Sequence, residues 1–225
     1  MNKNIISEKS AVNAIDKCKK ALFRSITVDA SFALFRLVIG IFYHSVWFTS
    51  LAFYYAILCF IRVFLLICYQ KSVKITKDCV FAFENKSYLA CALMLLILNI
   101  PLALIDAMVI VKNYAFHFPG YIIYLSATYT FYMATICIID MIKIKKTENL
   151  LIHSIKTVNL VSALVSILGL QTALIDSFSS NSEMSFRYTM NLITGAAVFF
   201  GVFAISVYMI CKAVRTAKSF KGNYE

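Results

Sequence analysis

Charged residues are scarce in this chain. Asp, Glu, Lys and Arg make up only 15% of its 225 residues, whereas soluble globular domains carry about 25%. Hydrophobic residues account for 61%, and the mean hydropathy is +0.79. Because the polar segments are too short to fold alone, the composition indicates a single compact membrane domain.

Signatures of catalysis and of metal binding are also lacking. The sequence contains neither H-E-x-x-H nor G-x-S-x-G nor C-x-x-C, the patterns of metalloproteases, serine hydrolases and metal or redox sites. Its histidines, His44, His117 and His153, fall in different loops, and all five glutamates lie outside the apolar stretches. A membrane enzyme needs a nucleophile with its base, or a ligand cluster. We therefore expect no enzyme, no cofactor and no metal.

Long apolar stretches are what the sequence does contain. Four of them hold at most one charge each, and about 20 residues cross a ~30 Å hydrocarbon core as a helix. A helix is the open-chain form that satisfies its own backbone there. These four predicted spans are Leu89–Val111, Pro119–Met141, Thr157–Ile175 and Tyr188–Cys211.

The region Ile26–Tyr69 has two interpretations. It is apolar over a length of roughly 66 Å as a helix, about twice the thickness of the hydrocarbon core. Either Leu37–Ile61 forms a single span, or the region forms a helical hairpin. The hairpin would turn near Tyr43–Trp47, where polar and aromatic residues suit the membrane interface.

The distribution of Lys and Arg favours the hairpin. With six spans, 17 of these residues lie on one side of the membrane and only Lys112 and Arg187 on the other. Five spans would place nine outside and 13 inside. The positive-inside rule therefore predicts an all-α polytopic membrane protein of six transmembrane helices, arranged as three hairpins with both termini cytoplasmic. The net charge of +11 follows from this topology, and no motif for nucleic-acid binding accompanies it.

We divide the chain into three parts: a basic cytoplasmic segment 1–25, a transmembrane domain 26–211 and a basic cytoplasmic tail 212–225. The first segment is either an amphipathic helix on anionic inner-leaflet lipids or an ordinary basic lead-in to the first span. Its apolar residues recur at helical spacing. They are Ala11, Ile15, Cys18 and Leu22.

A short sequence repeats along the chain. Ala103–Asp106 recurs as Ala173–Asp176, and Ala33–Arg36 lies at the same offset before the first copy. Repeated hairpins are common among transporters. Since Ala and Leu are abundant here, a chance match is the alternative.

Three ionisable residues lie deep in the first hairpin. Arg36 and Arg62 are expected to face the bundle interior, because a charge at the centre of a bilayer costs about 2.5–3.5 kcal/mol on insertion scales. Asp29 lies on the same helical face as Arg36 and can pair with it or with Arg62. The charges either fix the helix register as a structural pair or attract an anion.

Other polar residues extend this predicted interior. Spans three and five carry polar or helix-breaking residues at nearly the same register: Asn99 and Pro101 in span three, and Gln171 in span five. They indicate either interrupted helices at a binding site or interhelical hydrogen bonds. A stripe of Tyr and Thr on span four should point inward. The predicted polar interior comprises Arg36, Arg62, Asn99, Asp106, Thr128, Tyr132, Gln171 and Asp176.

Several stretches resemble small polytopic membrane proteins of bacteria to which no activity is assigned. They are Phe35–Gly40 with Tyr43–Phe48, Tyr129–Tyr132 and Leu170–Ala173. The resemblance covers most of the membrane portion and implies a bacterial plasma membrane. It assigns no functional residue.

Two functions fit these features. The buried arginines and the polar residues of spans three to five favour a small-solute transporter or channel subunit, assembled either as a homo-oligomer or with a partner membrane protein. The alternative is a non-transporting scaffold or signalling subunit that acts through partner helices and a basic cytoplasmic face.

Overall fold

Six α-helices form the protein. The computed structural model describes residues 2–73, 75, 77–112, 120–144, 149–178 and 184–221. The helices are α1 (Asn2–Phe42), α2 (Val46–Ser72), α3 (Lys77–Lys112), α4 (Gly120–Ile144), α5 (Leu150–Phe178) and α6 (Met184–Lys221). Each contains a stretch long and apolar enough to cross a membrane, which confirms the predicted class of multi-pass helical membrane protein.

The first two helices form the predicted hairpin, so the single-span interpretation of Ile26–Tyr69 is wrong. His44 adopts a left-handed conformation with φ 47°, and the Ser45 amide donates to the Gly40 carbonyl over 2.9 Å. This is a Schellman ending, which closes the last turn of α1. A Cβ at Gly40 would lie 2.6 Å from Thr49 Oγ1, so glycine lets the two helices meet directly above the turn.

The helix pairing differs from three successive hairpins. The most extensive contacts join α1 to α2, α3 to α6, and α4 to α5. Helices α3 and α6 run antiparallel, with Asn85 bonded to the Ala213 carbonyl at one end and Asp106 packed on Gly195 at the other. Their matched lengths of 36 and 38 residues let each cover the other throughout. The predicted pairs α3–α4 and α5–α6 are thus not the closest, and the packing does not follow the sequence repeat.

Helices α2 and α5 occupy the middle of the bundle, and α1, α4 and α6 are the least buried. The centre of the core contains Tyr54, Tyr55, Leu58 and Leu65 of α2, none more than 1% exposed. The outer faces carry large apolar side chains, as lipid contact requires.

Both polar ends of the chain continue the helices. The predicted segment 1–25 belongs to α1, which runs from Asn2 into the first span without interruption, and much of the tail belongs to α6. The side chains of Ala11, Ile15 and Cys18 lie outside the described ones, so the amphipathic face stays a prediction.

Candidate functional site

An ion pair joins the first two helices inside the bundle. Arg62 Nε lies 3.0 Å from Asp29 Oδ2, and the two side chains are 1% and 0% exposed. Because α1 and α2 run antiparallel, Asp29 faces Arg62 across the hairpin. Of the two partners that the sequence allowed for Asp29, the structure selects Arg62.

Two further helices supply hydrogen bonds to this pair. The Tyr129 hydroxyl of α4 donates to Asp29 Oδ1 over 3.0 Å, and Arg62 Nη2 donates to Ser162 Oγ of α5 over 2.7 Å. We call these four residues the ion-pair cluster. Buried ion pairs require such additional bonds to offset their desolvation, so the cluster fixes the relative positions of α1, α2, α4 and α5.

Arg36 lies farther along α1, towards the turn, and its surroundings are different. Its side chain is 2% exposed, and its guanidinium carbon lies 4.6 Å from the centre of the Phe32 ring and 5.3 Å from that of Tyr55. Within the described part of the chain, Arg36 has no ion pair, and its Nε is buried without a hydrogen-bond partner. The contacts of its guanidinium with described side chains are with these two aromatic faces.

Gly169 of α5 makes room for this guanidinium. A Cβ there would lie 3.0 Å from Arg36 Nη2 and 3.3 Å from Nη1. Arg36 therefore rests directly on the backbone of α5. A side chain at position 169 would take up the space that the guanidinium now occupies.

Three packed rings connect Arg36 to the ion-pair cluster, and one of them, Tyr129, belongs to both groups. Phe32 stacks on Tyr129 with centroids 3.6 Å apart, and Tyr55 meets both rings edge-on at 5.5 and 5.8 Å. We call Phe32, Tyr55 and Tyr129 the aromatic layer. The hydroxyls of Tyr54 and Tyr55 are buried without a hydrogen-bond partner. Of these two residues, Tyr55 is the one whose ring contacts Arg36.

Asn99 and Asp106 of α3 are buried as predicted, at 3% and 8% exposure. Asn99 Oδ1 and Asp106 Oδ2 have no hydrogen-bond partner. A Cβ at Gly195 would lie 3.2 Å from Asp106 Cγ, so this carboxyl packs on α6.

The stripe on α4 points the other way from the prediction. Thr128 is exposed, and its hydroxyl bonds only to the Tyr124 carbonyl of its own helix. The buried face carries Ser126 and Thr130 instead. Two positions along a helix turn by about 200°, so Thr128 and Thr130 lie on opposite faces, and neighbouring helices cover the second.

Tyr132 and Gln171 are half-buried, and among the described residues no ion pair or ring contact joins either of them to Arg36. The Asp176 side chain lies outside the described ones. Cavities of about 680, 340 and 330 Å³ open on the bundle, and the linings of these three do not include Arg36, Arg62, Asn99 or Gln171. The seven predicted residues whose side chains are described therefore occupy several separate environments.

Glu84 is a buried carboxylate that the sequence analysis missed. It is 7% exposed and accepts hydrogen bonds of 2.8 Å from Ser72 and from Asn149. Asn149 also caps α5 by accepting from the Leu151 amide. The prediction that every glutamate lies outside the spans is thus wrong for Glu84, whose spacing from Tyr88 and Cys91 on the buried face of α3 is the signal that marks it.

Metal ligands do not converge among the described residues, where no three His, Cys, Asp or Glu side chains lie close enough to hold an ion. No protein-family model matches this sequence, and no curated protein or solved structure matches it either.

Proposed function

We propose that this integral membrane protein transports a small anion, as a carrier or a channel subunit, and that Arg36 binds the anion. The observation that supports this is the isolation of a buried guanidinium. Asp29 is already paired with Arg62, and Asp106 packs on Gly195 of α6. Within the described residues, no carboxylate pairs with Arg36.

The energetics favour a ligand at this position. An ion withdrawn from water loses several kcal/mol even after the protein relaxes, whereas a cation–π contact returns about 0.5–2 kcal/mol. The rings of Phe32 and Tyr55 thus offset only part of the penalty for Arg36. A bound anion would supply the missing compensation.

The surrounding groups indicate which anion would fit. A guanidinium offers paired N–H donors that match the two oxygens of a carboxylate or another small oxyanion. The hydroxyls of Tyr54 and Tyr55 are buried without partners and would donate to further oxygens. A small oxyanion therefore suits the site better than a cation or an uncharged solute.

Transport also requires access to Arg36. The Arg36 side chain is only 2% exposed, so the present conformation corresponds to an occluded state in this proposal. A second conformation would open the site, as in transporters that move helices around a central site.

Uptake into liposomes tests the proposal. Purified protein is reconstituted, and entry of nitrate, acetate, phosphate and sulfate is measured for the wild type, Arg36→Leu and Arg36→Lys. We expect uptake of at least one of these anions and a loss of more than tenfold in Arg36→Leu. Arg215→Gln, which removes an exposed arginine of α6, is the matched control and should retain uptake.

Two results would overturn the proposal. One is the absence of uptake of all four anions by folded wild-type protein. The other is wild-type uptake by Arg36→Leu. Because this variant removes a poorly compensated charge, we expect it to fold. A loss of uptake would then reflect the loss of the binding group and not misfolding of the protein.

The proposed setting is the plasma membrane of a bacterium, with both termini in the cytoplasm, anionic inner-leaflet lipids around the basic ends, and a homo-oligomer as the assembly. The asymmetry of 17 against two Lys and Arg supports this orientation. Accessibility tags at residues 2 and 221 test it. Labelling of the two ends from opposite sides would exclude it.

A scaffold or signalling subunit is the second candidate, and the lengths of α3 and α6 favour it. At 36 and 38 residues they are roughly 54 and 57 Å long, well beyond a ~30 Å hydrocarbon core. The excess would carry a basic face into the cytoplasm. This function predicts membrane partners that no longer co-purify when the lysines of 71–86 are replaced, and unchanged partnership would exclude it.

A further inference from the structure

A second polar site lies at the other end of the bundle from Arg36. A cavity of about 330 Å³ opens between α1, α4 and α5 and is lined by Arg24, Ser25, Asp140, Lys156 and Asn159, among others. Binding sites for small ligands start at about 300 Å³. The first apolar span starts at Leu22, the fourth ends at Asp140 and the fifth starts at Leu150, so the cavity lies at the level of lipid headgroups.

The charged groups of this cavity favour an anion. Arg24 and Lys156 approach it from α1 and α5, and Lys156 is 8% exposed. Asp140 of α4 is the one carboxylate among the described lining residues, and Asn159 Nδ2 donates to Asp140 Oδ2 over 2.6 Å. The amide dipole therefore offsets part of the one negative charge, and the formal balance of the lining is positive.

Ser25 supplies an unused hydrogen-bonding group. Its side chain is 8% exposed, and its Oγ is buried without a hydrogen-bond partner. Buried hydroxyls are nearly always bonded in folded proteins. A hydroxyl at the wall of a positively charged cavity is suited to donate to an oxyanion that enters it.

The rest of the lining is apolar. It comprises Leu22, Ile136, Ile152 and Ile155, with the half-buried ring of Tyr132 beside them. A ligand that fills this space would bring a charged group to Arg24 and Lys156 and an uncharged portion to the isoleucines. Such a division matches a phosphate ester better than a free inorganic ion.

We propose that this cavity binds the phosphate of an anionic phosphate ester, held by Arg24 and Lys156 with a hydrogen bond from Ser25. The site is separate from the proposed transport site and does not depend on it. The same chemistry has two sources, a membrane phospholipid or a soluble phosphomonoester, and the experiment distinguishes them.

Binding to the purified full-length protein is measured in two arms, one with short-chain phosphatidylglycerol and one with glycerol 3-phosphate. We expect saturable binding in at least one arm, weakened at least tenfold by Arg24→Gln and about threefold by Ser25→Ala. Arg24 is exposed, so its replacement should leave the fold intact. Arg215→Gln is again the matched control and should bind like the wild type.

Asp140→Asn tests the sign of the site. Removing the carboxylate should tighten the binding of a phosphate ester, whereas a cation site would be weakened by the same change. Binding in the lipid arm alone identifies a phospholipid site, and binding of glycerol 3-phosphate identifies a soluble ligand; both support the proposal. Absence of binding in both arms, or affinity unchanged by Arg24→Gln, overturns it.

Discussion

Arg62 and Arg36 are both buried in the same bundle, but only one of them has a counter-ion. Arg62 pairs with Asp29 at 3.0 Å and donates to Ser162. Arg36 rests between aromatic rings and the backbone at Gly169, with no ion pair in the described part of the protein. The aromatic layer contacts both environments: Phe32 and Tyr55 lie against Arg36, and Tyr129 bonds to Asp29.

The difference teaches which charge specifies the fold and which is available for function. An ion pair that, with its two hydrogen-bond partners, joins four helices holds those helices in register, and its removal disturbs all of them. A charge without partners contributes little to the fold and persists where a ligand uses it. In this bundle the ion-pair cluster has the first role, and we assign the second to Arg36.

Removing the counter-ion of Arg62 should have the largest effect. Asp29→Ala leaves a buried guanidinium unpaired, and we expect the free energy of unfolding to fall by about 3 kcal/mol. Chemical unfolding of the purified protein in mixed micelles measures it. Asp29→Ala combined with Arg62→Met removes both charges and should recover most of the loss. A double variant as unstable as the single one would contradict the role given to the pair.

Removing Arg36 should act in the opposite direction. Arg36→Leu replaces a poorly compensated charge by an apolar side chain, so the free energy of unfolding should rise by about 1–2 kcal/mol. The same unfolding experiment compares it with Arg62→Leu, which strands Asp29 and should lower stability. If the two substitutions lowered the free energy of unfolding equally, Arg36 would be as well compensated as Arg62, contrary to the contrast drawn here.

Tyr129→Phe isolates one hydrogen bond of the ion-pair cluster. The ring stays in the aromatic layer, and only the bond to Asp29 is lost, which in membrane proteins is worth about 0.6–1.7 kcal/mol. Thr128→Val is the neighbouring control, since the Thr128 hydroxyl bonds only within α4. In a thermal unfolding experiment, Tyr129→Phe should have a lower midpoint temperature than the wild type, and Thr128→Val should have nearly the same one. A larger decrease for Thr128→Val would contradict the assignment of Tyr129 to the buried face of α4.

The smallest effect concerns the glycine under Arg36. Gly201→Ala should stabilise α6 by roughly 0.5–1 kcal/mol through helix propensity, because its nearest contact would be Leu164 Cδ1 at an ordinary 3.8 Å. Gly169→Ala gives the same gain in helix propensity but forces the Arg36 guanidinium to shift. Its free energy of unfolding should therefore not rise as it does for Gly201→Ala. Similar stabilities of the two variants would indicate that Arg36 does not rest on α5.

The sequence predicts the helical membrane fold because the lipid allows few alternatives. Six apolar stretches and the turn near His44 follow from length, charge and the need to satisfy the backbone. The burial of Arg36, Arg62 and Asp29 follows from the same requirement. The amphipathic nature of residues 1–25 and the topology remain predictions.

Partners across the bundle could not be predicted, because helical spacing does not reveal which face meets a neighbour. Thr128 and Thr130 are equally polar, and only packing decides that the second is inside. Likewise, α6 covers α3 because their lengths match. Glu84 resembled a loop residue in a lysine-rich segment until α3 was seen to start at Lys77.

The Asp29–Arg62 pair also bears on how the newly made chain enters the bilayer. Its two members lie on consecutive helices joined by the tight turn at His44, so they meet as soon as the first hairpin has left the ribosome. The hairpin can then insert with one opposite charge neutralising the other, before Tyr129 and Ser162 have been synthesised. Helices four and five arrive at a pair already formed, and their hydroxyl groups dock onto it.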